Sequence, residues 1–210
     1  GAPADGAAVL PIVLDAGWRA ADGDPPDGVA GIDRLEFRPA DPMRDQAARE
    51  GVRWYRVLVD LSAYVGQPLA FHAEAIRDVD EAWFDGVRIG GIGGFPPASD
   101  TAHFVSRLYP LPTDRVDGSG PRELVLRVWH GRRDGSVFRE PPVVGRLDLL
   151  ARERGFHDQS LVLFLGACLV VAVFLVLFAF HARSPADYLL FAGFAAALGA
   201  YAMLGHSVWD

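Results

Sequence analysis

Aromatic, guanidinium and carboxylate side chains gather at a few turn-like places in this chain: Trp83, Asp85, Phe95, Trp129, His130, Arg132, Arg133 and Asp134. Sugar sites use aromatic faces for the apolar side of a pyranose ring and charged or amide groups for its hydroxyls. These residues are therefore the candidate ligand-binding set. Core packing and strand pairing compete for Trp54, Trp83 and Trp129, and a solvated loop is the competing use of the run His130–Gly135.

Catalysis has less behind it. A glycosidase needs two carboxylates about 5–10 Å apart across one bond. Asp78, Asp80, Glu81 and Asp85 are close in sequence, but acids are ordinary at a hairpin turn. There is no Gly-x-Ser-x-Gly, so no serine nucleophile has motif support. The run Gly90–Gly94 resembles a phosphate loop only superficially, because Pro96-Pro97 follows and no helix does. His72, His103 and His157 lack a ligand-like spacing, so no metal and no other cofactor is expected. The chain reads as a non-enzyme.

Composition narrows the partners. The 210 residues carry a formal net charge of −7, which gives nucleic acid no clustered basic face to meet. The single cysteine, Cys168, lies inside the most apolar run, which excludes an intrachain disulfide and makes it a small hydrophobe. The chain opens Gly-Ala-Pro-Ala-Asp, without Met, basic stretch or apolar run, as a chain does after a signal peptide or a tag has been cleaved.

Two kinds of polymer share the sequence. Residues 1–158 are rich in Gly, Pro, Asp and Arg, whereas 160–209 carry only His181, Arg183, Asp187 and His206 as charges. Ser160–Phe180 has no charge across 21 positions (160 to 180 inclusive), enough to cross a hydrocarbon core of about 30 Å as a helix. A polar turn with Pro185 follows. A second apolar run extends from Tyr188 to Val208, with Gly193, Gly199 and Gly205 allowing close packing in lipid. The expectation is a transmembrane α-helical hairpin, with helices at about 160–181 and 187–208, forming the start of a longer membrane bundle. Arg183 and His181 in the loop give a thin positive-inside signal and Arg152 and Arg154 oppose it. The long N-terminal domain decides the orientation and places residues 1–158 outside the cytoplasm.

That domain reads as β. Val52–Leu61 alternates, with Tyr55, Val57, Val59 and Leu61 on one face, and Leu69–Ala75 alternates too. Asp85-Gly86 between two short runs is a hairpin signal, because both residues accept positive φ. Further strand candidates are Val9–Leu14, Leu35–Phe37, Phe104–Leu111, Leu124–Trp129 and Val143–Leu150, with Met43–Glu50 the one helical candidate before residue 151. Short strands separated by Gly/Pro clusters indicate a sandwich or jelly roll.

The motifs Gly17–Arg19, Gly51–Leu61, Asp80–Gly94, Glu123–Gly135 and Pro141–Leu150 together resemble the galactose-binding-like jelly roll that opens glycoside hydrolase family 2 enzymes. Asp85-Gly86 stands where that family has Asn-Gly. The resemblance covers roughly residues 15–150 and implies the fold; the family's catalytic acid and nucleophile belong to a barrel domain that this sequence does not include. The join to apolar helices is similar to bacterial seven-transmembrane receptors with diverse intracellular signalling modules, whose cytoplasmic output is a cyclase, kinase or phosphatase.

The expected architecture is mainly β, a jelly-roll β-sandwich (1–154) followed by the membrane hairpin (155–210). The expected function is the sensory input of a bacterial inner-membrane receptor. Its periplasmic domain would bind a small ligand such as a carbohydrate, or a periplasmic protein, and would be in contact with membrane lipid and capable of homodimerising. The alternative is a membrane-anchored carbohydrate-binding or assembly domain without signalling.

Overall fold

A computed structural model describes residues 10–44, 51–76, 79–96, 105–130, 136–180 and 185–209, with the backbone alone at 154–162 and 202–209. The chain divides into two compact units, 1–150 and 151–210.

The first unit is a sandwich of two antiparallel sheets. Its strands are β1 (Ile12–Val13), β2 (Arg19–Asp22), β3 (Arg38–Pro39), β4 (Gly51–Val59), β5 (Leu69–Ala73), β6 (Val79–Phe84), β7 (Val87–Ile92), β8 (Arg107–Pro110), β9 (Arg122–His130) and β10 (Val143–Arg146). One sheet has the order β1-β10-β5-β8 and the other β3-β2-β4-β9-β6-β7. From β4 onward the chain crosses repeatedly between sheets, and only the β6–β7 hairpin stays in one.

Alternation decides what fills the space between them. Tyr55, Val57 and Val59 of β4, Ala82 and Phe84 of β6, and Leu124, Leu126 and Val128 of β9 meet Leu69, Phe71 and Ala73 of β5 and Tyr109 of β8. The opposite face of the larger sheet buries a second, smaller cluster: Ala21, Trp54, Trp83 and Val125, covered by Ile32 and Phe37. Trp54, which does not follow the apolar register of β4, belongs to this outer cluster.

Several sequence expectations change. Leu35–Phe37 is not a strand; a 3-10 helix over Gly28–Arg34 comes first and β3 begins at Arg38. β2 pairs with β4 although Arg-Ala-Ala-Asp shows little β character, because register with Arg53–Arg56 decides it. The last strand ends at Arg146 rather than Leu150, and the chain turns helical at once. The Leu147 N–H donates to Pro68 O at 2.9 Å instead of to a strand neighbour, and Leu150 packs on Gly145. Met43–Arg44 is a turn; the rest of that helical candidate lies outside the described residues.

The second unit contains most of α1 (Leu147–Ala179) and α2 (Pro185–Trp209). Pro185 opens α2, where its missing N–H has no helical partner to lose. The helices pack against each other: a Cβ at Gly199 would lie 3.4 Å from Cys168 Cβ, and the Phe178 and Tyr188 rings are 6.1 Å apart. Among the described residues, no helix is long and apolar enough to cross a membrane. The side chains described in the apolar parts cover 163–179 and 185–201, each short of the ~20 residues a span needs.

Candidate functional site

Strand register fixes which loops share an end of the sandwich. Val59 pairs with Arg122, Phe84 with Leu124 and Leu69 with Arg146. The 60–68 connection, the β6–β7 turn, the 111–121 connection and the first turn of α1 therefore lie at one end. Gly51 pairs with His130, Val79 with Trp129 and Ala73 with Arg107, so the 131–142 connection begins at the other.

This division separates the residues predicted from sequence. Asp85 is at the α1 end, at φ 48° in the turn with Gly86 at φ 77°, where its carboxylate accepts from Arg122 at 3.0 Å and pairs with Arg115 at 3.7 Å. Trp129 and His130 are at the opposite end. The six residue steps from Glu123, beside Asp85, to Trp129 span roughly 20 Å of strand. Trp129 and His130 also point to opposite faces. His130 is 1% exposed on the inner face, with Nε2 3.4 Å from Tyr55 Oη. Trp83 is 8% exposed in the outer cluster, its ring 5.4 Å from that of Trp54. Arg132, Arg133 and Asp134 lie outside the described residues.

The structure gathers a different set on the outer face of the larger sheet. Val125, Arg127 and Trp129 alternate along β9 and share that face with Glu81 and Trp83 of β6. The Arg127 guanidinium donates to Asp24 through Nε at 3.0 Å and Nη2 at 2.6 Å, and to Glu81 through Nη1 at 2.9 Å. Its plane lies 3.9 Å from the centre of the Phe95 ring, and Trp54 is 5.9 Å away. Arg88 reaches Glu81 at 3.3 Å from β7. Further along the face, Arg56 lies 4.1 Å over the Phe37 ring and pairs with Asp33 and Glu123; burial pushes the Glu123 carboxyl above its usual value. Phe95 is thus brought against an arginine that sequence reasoning did not select, and Trp129 stands two residues along the same strand face. Its signal was available in the spacing, since Arg127 lies two residues from Trp129 on one strand face.

A second polar group is sealed between the sheets. Asp80 of β6 accepts from Arg107 Nε and from the Tyr109 hydroxyl of β8, each at 2.7 Å. Asp80 and Arg107 are both fully buried, and Arg107 also donates to Val105 O. Burial raises the Asp80 carboxyl above its ordinary value against the pull of these donors, and burial beside that carboxylate raises the Tyr109 hydroxyl as well. Gly90 of β7 faces this group: a Cβ there would overlap the Tyr109 ring. The glycine run is thus a strand pressed against a buried tyrosine. Asp80, noted in the sequence as a turn acid, is a tie between sheets.

Among the described residues no group of three His, Cys, Asp or Glu side chains could hold a metal ion. The outer-face patch can stack on a flat apolar ring face and hydrogen-bond its rim. Its described carboxylates Asp24, Glu81, Asp33 and Glu123 are each paired with an arginine.

Solved structures similar to the chain come from bacterial glycoside hydrolases. They include a glycosyl hydrolase family 2 member from Bacteroides cellulosilyticus, at 14% identity and TM-score 0.48, covering 65% of this chain and 20% of that one. A β-glucuronidase from Ruminococcus gnavus matches at 12% identity and TM-score 0.48, over 65% and 28%. A putative β-galactosidase from Bacteroides fragilis matches at 14% and 0.45, over 63% and 22%. The chain thus spans between a fifth and a third of these proteins. At such identities and scores the likeness carries no argument about activity, and the fold rests on the sheet order above. No protein-family model and no curated protein matches the sequence.

Proposed function

We propose that the chain is the sensory input region of a bacterial membrane receptor. Its galactose-binding-like β-sandwich lies in the periplasm and binds a small ligand of carbohydrate type, or a partner protein, through the outer-face patch and the loop that follows His130. The observation that carries this reading is a pairing within one chain. A face with an aromatic–arginine–carboxylate composition is joined to two helices that expose large apolar side chains away from the seam where they meet, among them Leu163, Leu169, Val170, Phe174, Leu190, Phe191 and Phe194. A helix apolar all round needs a protein interior or lipid. Over 163–179 of α1 and 188–201 of α2 the described side chains carry no charge that would face water, which supports lipid. Small residues where the helices touch, Cys168 and Gly199, support the same setting.

Ligand binding would raise the melting temperature of the full chain by mass action, increasingly so as concentration exceeds the dissociation constant. The test uses a panel of neutral and anionic glycosides against wild type, Phe95→Ala and Trp129→Ala in detergent. A shift in wild type that both variants lose supports the site. A shift that both keep moves it elsewhere, and no shift with any glycoside leaves a protein as the partner.

A further inference from the structure

The outer cluster of the larger sheet contains an indole pair under a thin cover. Trp54 is fully buried, yet its Nε1 has no hydrogen-bond acceptor. A sealed N–H without an acceptor forfeits the hydrogen bonds it makes in water, and a native fold rarely leaves one so without a reason. Beside it the Trp83 ring lies 5.4 Å away at 31°, so the pair offers broad π-surface as well as a donor.

Part of the cover over this cluster is the 3-10 helix Gly28–Arg34, with Leu35 and Phe37 beyond it. Only Gly31 and Ile32 of that helix are buried, and its N-cap residue Asp27 makes no side-chain capping bond. It is closed on itself by the pair Arg34–Asp27, and tied to the sheet by Asp33 to Arg56 at 3.4 Å. The Arg34 and Asp27 side chains are 63% and 48% exposed, and ion pairs that exposed hold little. Gly31 permits the tight wrap, since a Cβ there would meet both Arg34 and Asp27. A short helix that packs only Ile32 and a half-buried Val29 on the cluster, and whose ties are exposed, belongs to the low-stability end of a fold.

We infer that residues 27–34 are a lid over a cryptic ring-binding site, in which a hydroxylated pyranose ring stacks on Trp54 and Trp83 and accepts a hydrogen bond from Trp54 Nε1. This deepens the ligand-binding reading above and rests on it. It adds that the closed form is the state without ligand, so that apparent affinity is scaled down by the small fraction of molecules that are open. Loosening the lid therefore tightens binding.

The experiment follows 5-fluorotryptophan resonances of the full chain in detergent micelles, assigned by Trp54→Phe and Trp83→Phe, during titration with methyl galactopyranoside and methyl glucopyranoside. Arg34→Ala removes the lid's tie at an exposed position, and thermal melting checks that the fold is intact. The expected result is a saturable shift of Trp54 and Trp83 together, with a several-fold lower dissociation constant in Arg34→Ala and an unmoved Trp18 resonance. Absence of a saturable shift at Trp54 and Trp83 in both proteins overturns the lid site. If Trp129 alone responds, ligand binding stands without it. If no tryptophan responds, the carbohydrate reading falls as well.

Discussion

Arg107 is the residue whose surroundings state most about the physics of this fold. It is fully buried, cannot shed its charge, and pairs with the equally buried Asp80 carboxylate at 2.7 Å. Removing one member of such a pair leaves the other charge buried alone, which typically destabilises by about 3–5 kcal/mol. Arg107→Met should therefore lower the unfolding free energy by about that much at neutral pH, measured by denaturant titration. The pH dependence has a definite sign. Burial already raises the Asp80 carboxyl, and without Arg107 it rises further, so the folded state binds a proton that the unfolded state, near its ordinary ~3.9, has released. Stability of Arg107→Met is then highest in acid and falls as pH rises above ~4 through the raised value; a variant whose stability grew with pH over that range would contradict this. Replacing the group together, Asp80→Leu with Arg107→Met and Tyr109→Phe, should be neutral or stabilising by about 1–4 kcal/mol. The buried pair would then serve to fix the match between sheets.

The β6–β7 hairpin shows how an element is set by two residues. Asp85 at φ 48° and Gly86 at φ 77° form the kind of turn whose twist matches paired strands. A β-branched side chain resists positive φ, and Asp85 also holds Arg122 and Arg115 across to the neighbouring connection. Asp85→Val should lower stability by about 1–3 kcal/mol, while Asp85→Asn, which keeps the turn preference, should lose only the surface pairing, under ~1 kcal/mol. Thermal unfolding of the two variants side by side separates the contributions. Nearby, Arg122 holds the Asp117 carboxyl far below the usual range. The junction of β10 and α1 is set in the same local way, by Leu147 donating to Pro68 O and Arg146 pairing with Asp148 at 2.9 Å.

Over the whole molecule, two units of different chemistry share one chain. The sandwich has its own inter-sheet core, so residues 1–150 should fold without the helices. The expected circular dichroism is strand-dominated with a cooperative melt; a helix-dominated spectrum, or none, would refute an independent β-unit. The helices expose large apolar side chains that water disfavours by roughly 25 cal/mol per Å². If they cross the inner membrane as proposed, alkaline phosphatase fused after residue 155 should be active, and fused within 183–186 it should be silent. The reverse pattern would put the sandwich in the cytoplasm.

The alternation of Tyr55, Val57, Val59 and Leu61, and of Leu69, Phe71 and Ala73, was enough to identify strands and their buried face, because a period of two leaves one side of a strand apolar. Asp85-Gly86 identified its hairpin through backbone preference alone, and the uncharged runs after Ser160 marked helices. What sequence could not supply was register and partnership across long separations. Arg127 meets Asp24 over 103 positions and Asp80 meets Arg107 over 27. No local pattern links such residues; only the sheet order β4-β9-β6 and the stacking of two sheets brings them together. The same order sent Asp85 and Trp129 to opposite ends of the sandwich, although a short list of sugar-like residues had placed them together. Residue type chose the chemistry that could occur, and strand pairing decided which of those residues share a face.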